Sequence, residues 1–536
     1  MSRRIGWRRW AGPFLAGVLG ACAGEGGECP RCDTVVIAAT GEPSALLPPL
    51  VGETVGRDIS DQVYDRLLEL RGGASPLEES AYEPRLAARW ERVDSLTLRF
   101  VLRPGARWHD GRAVTAADVA FSFAAYVDTA LGAPAGSALG DRVTVAAESD
   151  SVVTIRFAAP DPEQLYDATW HVRVIPKHVW ETTPSAKWAE DTSLSRLVGS
   201  GPYRVVQWAR GQSLRLERAD TAADTPALRH VIWRFAGDQD AALNLVLSHE
   251  ADLLEVIGDS ARVARIEADS ALRVVAYPAA VYGFLGFNLA GPRDSPLLDR
   301  EVRRALFQAT DRATAARAVF GPGGKAPRGP MSGILWIADD SIAVLPYDTA
   351  TAGRSLDAGG WRRSGAVRRR GGRDLTIDIL VPGTSVARRN LAQIIQEQWR
   401  QSGITATVTS VDFPVFQERL RTGRFQAFVG AWLDEPSARG LADQWTTRGI
   451  GALNYGRYRS AGFDSLFRQA SSIRGDPAGA RRSWREAMDT LNGDAPAIWL
   501  YTPTQMAAVA RRLTGVEINP YSWLAGLRTW RVIEPR

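Results

Sequence analysis

The segment "RPGARWHDGRAVTAADVAFSF", Arg103 to Phe123, sets His109 beside Asp110 in a turn-rich stretch. An imidazole oriented by a carboxylate is the general base of many hydrolases. Neighbours in an extended segment point to opposite faces, so these two are poorly placed to pair with each other. Either could still pair with a distant residue. Other candidate chemistry fails on spacing. "VGSGP" around Ser200 is not G-x-S-x-G, and "HEADL" at His249–Glu250 lacks the second His of a zinc-protease helix. "GPGGKAP" around Lys325 imitates a phosphate loop, but Ala326 stands where a magnesium-binding Ser or Thr is required. Cys29 and Cys32 form "CPRC". The five His are distant and none stands immediately after Cys32, so a local disulfide is expected rather than a zinc or haem site. No catalytic residue, metal or cofactor is expected, and the remaining chemistry is binding.

The elements around these residues can be read from periodicity. In "LTLRFVL", Leu96, Leu98, Phe100 and Leu102 alternate with other residues, the pattern of a half-buried strand. Pro104–Gly105 suits the centre of a type II turn, and Asp110–Gly111 forms another turn. Thr115 with Asp118 three residues on is an acidic capping box, opening a helix with Val119, Phe123 and Tyr126 inward. "DISDQVYDRLLEL" predicts a helix with Ile59, Val63, Leu67 and Leu68 on one face. "DREVRRALFQATDRATAARAVF" predicts one long helix. "LTIDILV", "ARRNLAQIIQEQWRQSG" and "ITATVTSV" predict a β-α-β unit, with Gly403 ending the helix. The basic stretch "WRRSGAVRRRGGR" is expected to be a solvated loop. The architecture is mixed α/β with several lobes.

The 536 residues carry a formal charge of +5, but four Arg and no acid fall within residues 1–21. The remainder holds 61 Lys and Arg against 60 acids, which gives no global argument for nucleic acid. The 18 Trp suit both a large core and aromatic-lined pockets, and most are assigned to the core. Basic "MSRRIGWRRW" precedes an apolar run too short to span a bilayer, which reads as a secretory signal. It ends in "LGAC", which resembles the bacterial lipobox and makes Cys22 the expected acylated residue after removal of 1–21. Residues 22–32 would be a tether.

Essentially from Asp33 to the C-terminus the chain resembles a known family, beginning with a signature at Tyr82. "YEPRLAARWERVDSLTLRFVLRPGARWHDGRAVTAADVAFSF" is similar to the signature region of bacterial extracellular solute-binding proteins of the peptide/nickel-binding family, which serve ABC importers. "VIPKHVW", "VGSGPYRVVQW", "FLGFNL", "DREVRRALFQATDR" and "YDTATAGRSLDAGGW" resemble further family segments in the same order.

The resemblance implies an α/β Venus flytrap of two lobes around a cleft, with a third domain inserted into lobe one. Lobe one would comprise 33–75, 199–276 and 501–536, the inserted domain 76–198, and lobe two 277–500. It implies a monomeric, non-enzymatic, membrane-anchored lipoprotein on the exported side. Such a protein captures a peptide or similar solute and delivers it to an ABC permease and its ATPase. "GAWLDEPS", Gly430 to Ser437, resembles the family's ligand loop, in which a carboxylate takes the peptide amine. That assigns Asp434 as the amine partner, Trp432 beside it, and Ala431 and Leu433 as main-chain contacts. Glu53 and Thr54 would face them from lobe one. Alternatives are a non-transport sensor or chaperone-like module, or an exported hydrolase. The ligand alternatives are a nickel chelate, haem or an oligosaccharide.

Overall fold

The computed structural model describes residues 32–133, 136–220 and 225–533. Cys22, Cys29, the signal and nearly all of the tether lie outside them; Cys32 is disulfide-bonded.

"TVVIAAT", Thr34–Thr40, is buried over most of its length. A strand that is apolar on both faces belongs in the middle of a sheet covered on both sides. It lies fourth of seven, in the order Leu272–Pro278, Thr504–Ala510, Leu253–Leu254, Thr34–Thr40, His230–Ala236, Ser213–Arg218, Tyr203–Ala209. One apolar core lies on each face, one around Trp233 and Trp530, the other around Leu243 and Ala508. "VYGFLGF", Val281–Phe287, is the comparable strand of a five-stranded sheet. Its order is Thr405–Val411, Thr376–Pro382, Ala427–Leu433, Val281–Phe287, Ala497–Tyr501. Thr376–Pro382 and Thr405–Val411 run parallel around helix Val386–Gln401, the expected β-α-β unit. These two sheets build a two-lobe α/β fold.

The chain passes from the first sheet to the second between Pro278 and Val281 and returns between Tyr501 and Thr504. The two crossings lie side by side, with Ala279 N–H donating to Pro503 O at 3.2 Å. So few connecting residues make a natural hinge. A third, antiparallel sheet of Ala87–Arg92, Thr97–Leu102, Val152–Phe157 and Val143–Ala147 has its own core around Phe100 and Trp108. Helix Ala116–Val127 packs on it. The Asp118 carboxylate accepts from both Thr115 N–H and Thr115 Oγ–H, at 2.8 and 2.9 Å. Gly105 takes the positive φ of +78° that its turn demands.

Three sequence expectations are corrected. The first helix is Thr54–Val63, and Leu67 and Leu68 leave it, with Leu68–Leu70 pairing to Tyr82–Pro84. Tertiary bonds stop the helix: Gly201 N–H takes Val63 O at 2.8 Å, and Asp65 N–H donates to Ser200 Oγ at 3.3 Å. The long helix is two, Arg300–Gln308 and Arg312–Phe320, because Asp311 caps the second through Thr314 N–H at 3.0 Å. The basic loop is a small antiparallel sheet of Arg362–Ser364, Val367–Arg370 and Arg373–Asp374.

Candidate ligand cleft

Strand Ala427–Leu433 pairs antiparallel with Val281–Phe287, placing Leu433 opposite Val281. Its end therefore lies beside the hinge crossing. There Asp434 N–H donates to Ala280 O at 2.8 Å, and an Asp434 carboxylate oxygen accepts from Ser332 N–H at 2.6 Å. Burial pushes the Asp434 carboxyl up to about 6, against the lowering effect of the Ser332 bond. Among the described residues no basic side chain forms an ion pair with it. A desolvated carboxylate without a counter-charge is costly, and a cation arriving from solution relieves that cost.

Two cavities meet at this loop, and Leu433, Asp434 and Glu435 line both. The larger, about 630 Å³, is an open cavity lined by residues of the five-stranded lobe. Its wall includes Ala431 and Trp432, and Trp432 stacks on Tyr455 with centroids 6.0 Å apart. Arg388, in the first turn of helix Val386–Gln401, is the one basic residue in that wall among the described residues. The smaller cavity, about 460 Å³, lies between the lobes. Glu53, Arg57, Trp170, His171 and Tyr521 are among its walls. Leu433 is 74 % exposed, an apolar side chain held bare at the junction.

The structure thus brings Asp434, Trp432, Ala431 and Leu433 together and sets Glu53 across from them. The Glu53 carboxylate is already engaged, accepting from Ser44 N–H at 2.6 Å and Ser44 Oγ–H at 2.9 Å. Thr54 is the exposed first residue of its helix and lines neither cavity. Its assignment as a direct contact gains nothing from the geometry. Sequence reasoning passed over Arg388, Arg57, Glu435 and Tyr521. Only Arg388 had a local signal, as a base at the start of a helix that follows a buried strand.

His109 and Asp110 take no part in the cleft. His109 Nδ1 accepts from Gly199 N–H at 3.2 Å, which leaves Nε2–H to donate to Gly201 O at 3.0 Å. Burial lowers its pKa to about 4. Asp110 pairs instead with His178 at 2.8 Å. Neither residue of that pair lines the cavities described above. Among the described residues no group of three His, Cys, Asp or Glu is placed to hold a metal ion, and no helix is long and apolar enough to cross a membrane.

Two lobes joined by paired crossings, with a cleft holding an uncompensated carboxylate, define a binding protein that closes on a solute. The chain belongs to the bacterial extracellular solute-binding proteins, family 5, whose model matches residues 81–449. It is 23 % identical to the oligopeptide-binding protein AppA of Bacillus subtilis, over 96 % of each chain. The structure of AppA in complex with a nonapeptide superimposes with a TM-score of 0.72, covering 94 % of this chain and 99 % of that one. The ABC transporter substrate-binding protein CtaP of Listeria monocytogenes, 22 % identical, gives 0.80 over 94 % and 99 %. NikZ of Campylobacter jejuni in complex with Ni(L-His), 20 % identical, gives 0.73 over 94 % and 100 %.

Proposed function

We propose that this chain captures peptides with a free amino terminus and delivers them to an ABC importer, without catalysis. The observation that carries this reading is Asp434, a half-buried carboxylate with no ion-pair partner among the described residues, at the junction of two cavities. A peptide ammonium supplies the missing charge. Arg388, in the wall of the larger cavity, offers a guanidinium to a carboxylate, so a short zwitterion finds complementary ends. The edges of Ala431 and Leu433 offer main-chain groups to the peptide backbone, and Trp432 an apolar wall. Closure is a population shift, favoured only by contacts that both lobes make to the ligand.

In this reading lobe one comprises 33–75, 199–276 and 501–536, the inserted domain 76–198, and lobe two 277–500. The chain acts as a monomer. Removal of 1–21 leaves Cys22 acylated, with 22–32 as tether, so the membrane is met through the lipid alone. Relatives named for oligopeptide binding support the ligand class.

Calorimetry with tri-alanine and with N-acetyl-tri-alanine tests the reading. Free-amine peptide is expected to bind, and both N-acetylation and Asp434→Ala are expected to weaken binding at least tenfold. Equal affinities for both peptides would overturn the amine anchor. A thermal-shift screen of peptides, nickel-histidine, haem and oligosaccharides tests the ligand class, because a ligand that binds only the folded form raises Tm.

A further inference from the structure

Three residues beyond Asp434 the same loop enters a charged socket. Arg439 Nε lies 2.7 Å from Glu163 Oε2, and its Nη1 lies 3.0 and 3.1 Å from Asp161 Oδ2 and Asp167 Oδ2. Its Nη2 bonds the other Asp167 oxygen, and the Ser437 hydroxyl bonds Glu163. One guanidinium therefore serves three carboxylates. The fork of five N–H donors makes this possible, and an ammonium could not reproduce the geometry.

The two halves of the socket belong to separately packed bodies. Leu165, Tyr166 and Ala168 lie in the core of the four-stranded sheet. Ala438 and Leu441 lie in the core of the five-stranded lobe. The ion cluster crosses from one body to the other, and Leu77 packs across the same boundary. Two further bases reach the same acids. Besides Arg439, Arg142 reaches Asp161 and Asp167 at 3.3 and 3.5 Å, and His171 lies 3.7 Å from Asp167. Tyr82 and Tyr166 face the same carboxylates, with Glu435 near Tyr166. Withdrawing Arg439 would leave three buried or half-buried carboxylates facing one another with only the half-exposed Arg142 and His171 beside them, neither of which reaches Glu163. Burial already pushes Glu163 up to about 7.

The ligand loop is thus held at two ends. At the hinge end Asp434 N–H bonds Ala280 O, and Ser332 N–H bonds the Asp434 carboxylate. At the other end Ser437 and Arg439 fasten it to the four-stranded body. We infer that Arg439 and Ser437 are positioning residues that dock the Leu433–Ser437 loop onto the inserted domain, so that cleft closure is completed by an internal ion socket as well as by ligand. The inference rests on the cleft reading but needs no ligand to test. By making closure less unfavourable, the socket raises the fraction of molecules competent to hold a solute, and affinity scales with that fraction.

The test uses ligand-free full-length protein as parent, Arg439→Gln, Arg439→Lys and Ser437→Ala. Hydrogen exchange is read at the Asp434 amide, with the Phe428 amide on the preceding strand as control, and small-angle scattering reads the overall opening. Arg439→Gln is expected to speed exchange at Asp434 about tenfold or more, to leave Phe428 unchanged, and to enlarge the radius of gyration. Arg439→Lys should recover part of the protection, and Ser437→Ala should lose less than Arg439→Gln. Parent-like exchange at Asp434 and parent-like scattering in Arg439→Gln would overturn the inference. If Arg439→Gln does not fold, Ser437→Ala decides, since deleting one hydroxyl preserves the ion pairs: parent-like exchange at Asp434 overturns the inference. Failure of tri-alanine to bind the parent would sink the peptide reading without touching these readouts.

Discussion

Two regions carry acid–base residues in plain view of the sequence, and they are used in opposite ways. At Trp108–Gly111 each polar side chain finds a partner within the protein, Trp108 Nε1–H donating to Asp118 at 3.4 Å. His109 spans Gly199 and Gly201, and Asp110 meets His178. At Leu433–Glu435 the carboxylate of Asp434 is met, among the described residues, by Ser332 and by no cation. The first region is a joint between two bodies, built from family motifs that lie 90 residues apart in the chain. The second is the proposed site. What separates them is the completeness of their internal partners, since a satisfied group has little left to offer a ligand.

The largest effect is expected at the joint. A Cβ on Gly199 would lie 1.8 Å from Val63 O, backbone that cannot step aside. Gly199→Ala should cost about 3 kcal/mol or more of stability, measured by denaturant unfolding. His109→Ala strands the Gly199 N–H and Gly201 O and should cost about 1–3 kcal/mol. Where these variants remain folded, peptide affinity should stay within about twofold of the parent. An affinity loss in a folded His109→Ala protein would break the contrast.

Asp434→Asn should show the reverse pattern. It keeps an acceptor for Ser332 N–H and removes a charge that burial disfavours, so stability is unchanged or higher. Affinity for free-amine peptide should fall by about tenfold to a hundredfold, the scale of losing one partner of a desolvated charge pair. Calorimetry and thermal melts on the same preparation separate the two effects.

The pH dependences should also oppose each other. Asp434 has its folded pKa raised to about 6. Its contribution to stability is fully present below its unfolded value near 4 and is lost as pH rises through about 6. His109 has its folded pKa lowered to about 4. Its contribution is present above the unfolded value of about 6.5 and is lost as pH falls towards 4. Between these limits Asp434→Asn and His109→Gln should tilt the stability profile in opposite directions. Peptide affinity should rise with pH through about 6 and then level, because the ammonium binds the ionised carboxylate. In Asp434→Asn that rise should vanish.

What could be read from sequence divides along the same line. The capping box at Thr115 and Asp118, the Gly105 turn and the alternation through Phe100 are local, and the structure repeats them. The end of the first helix could not be read, because Leu67 keeps the helical spacing while Gly201 and Ser200, more than 130 residues away, take the backbone. Asp434 was legible through resemblance, but its lack of a counter-charge was not. Arg439 looked like any surface arginine, since its three carboxylates lie more than 270 residues earlier. Sequence shows which residues could do chemistry; long-range packing decides which of them already have partners.

The smallest effect should come from the pair that most resembles a catalytic dyad. His178 and Asp110 are about a fifth and a third exposed, so solvent screens much of their attraction. His178→Ala should change stability by no more than about 1 kcal/mol, the upper range for exposed pairs. It should leave peptide affinity as in the parent. If this pair were the base of a hydrolase, the parent would cleave tri-alanine and His178→Ala would lose that activity. Release of alanine, followed by chromatography over a day at high protein concentration, reads both. Turnover by the parent that His178→Ala abolishes would place chemistry at the joint and undo the division between a satisfied region and an unsatisfied one. Unchanged tri-alanine alongside intact binding would fix Asp110–His178 as one more closed pair holding the signature segment against "VIPKHVW".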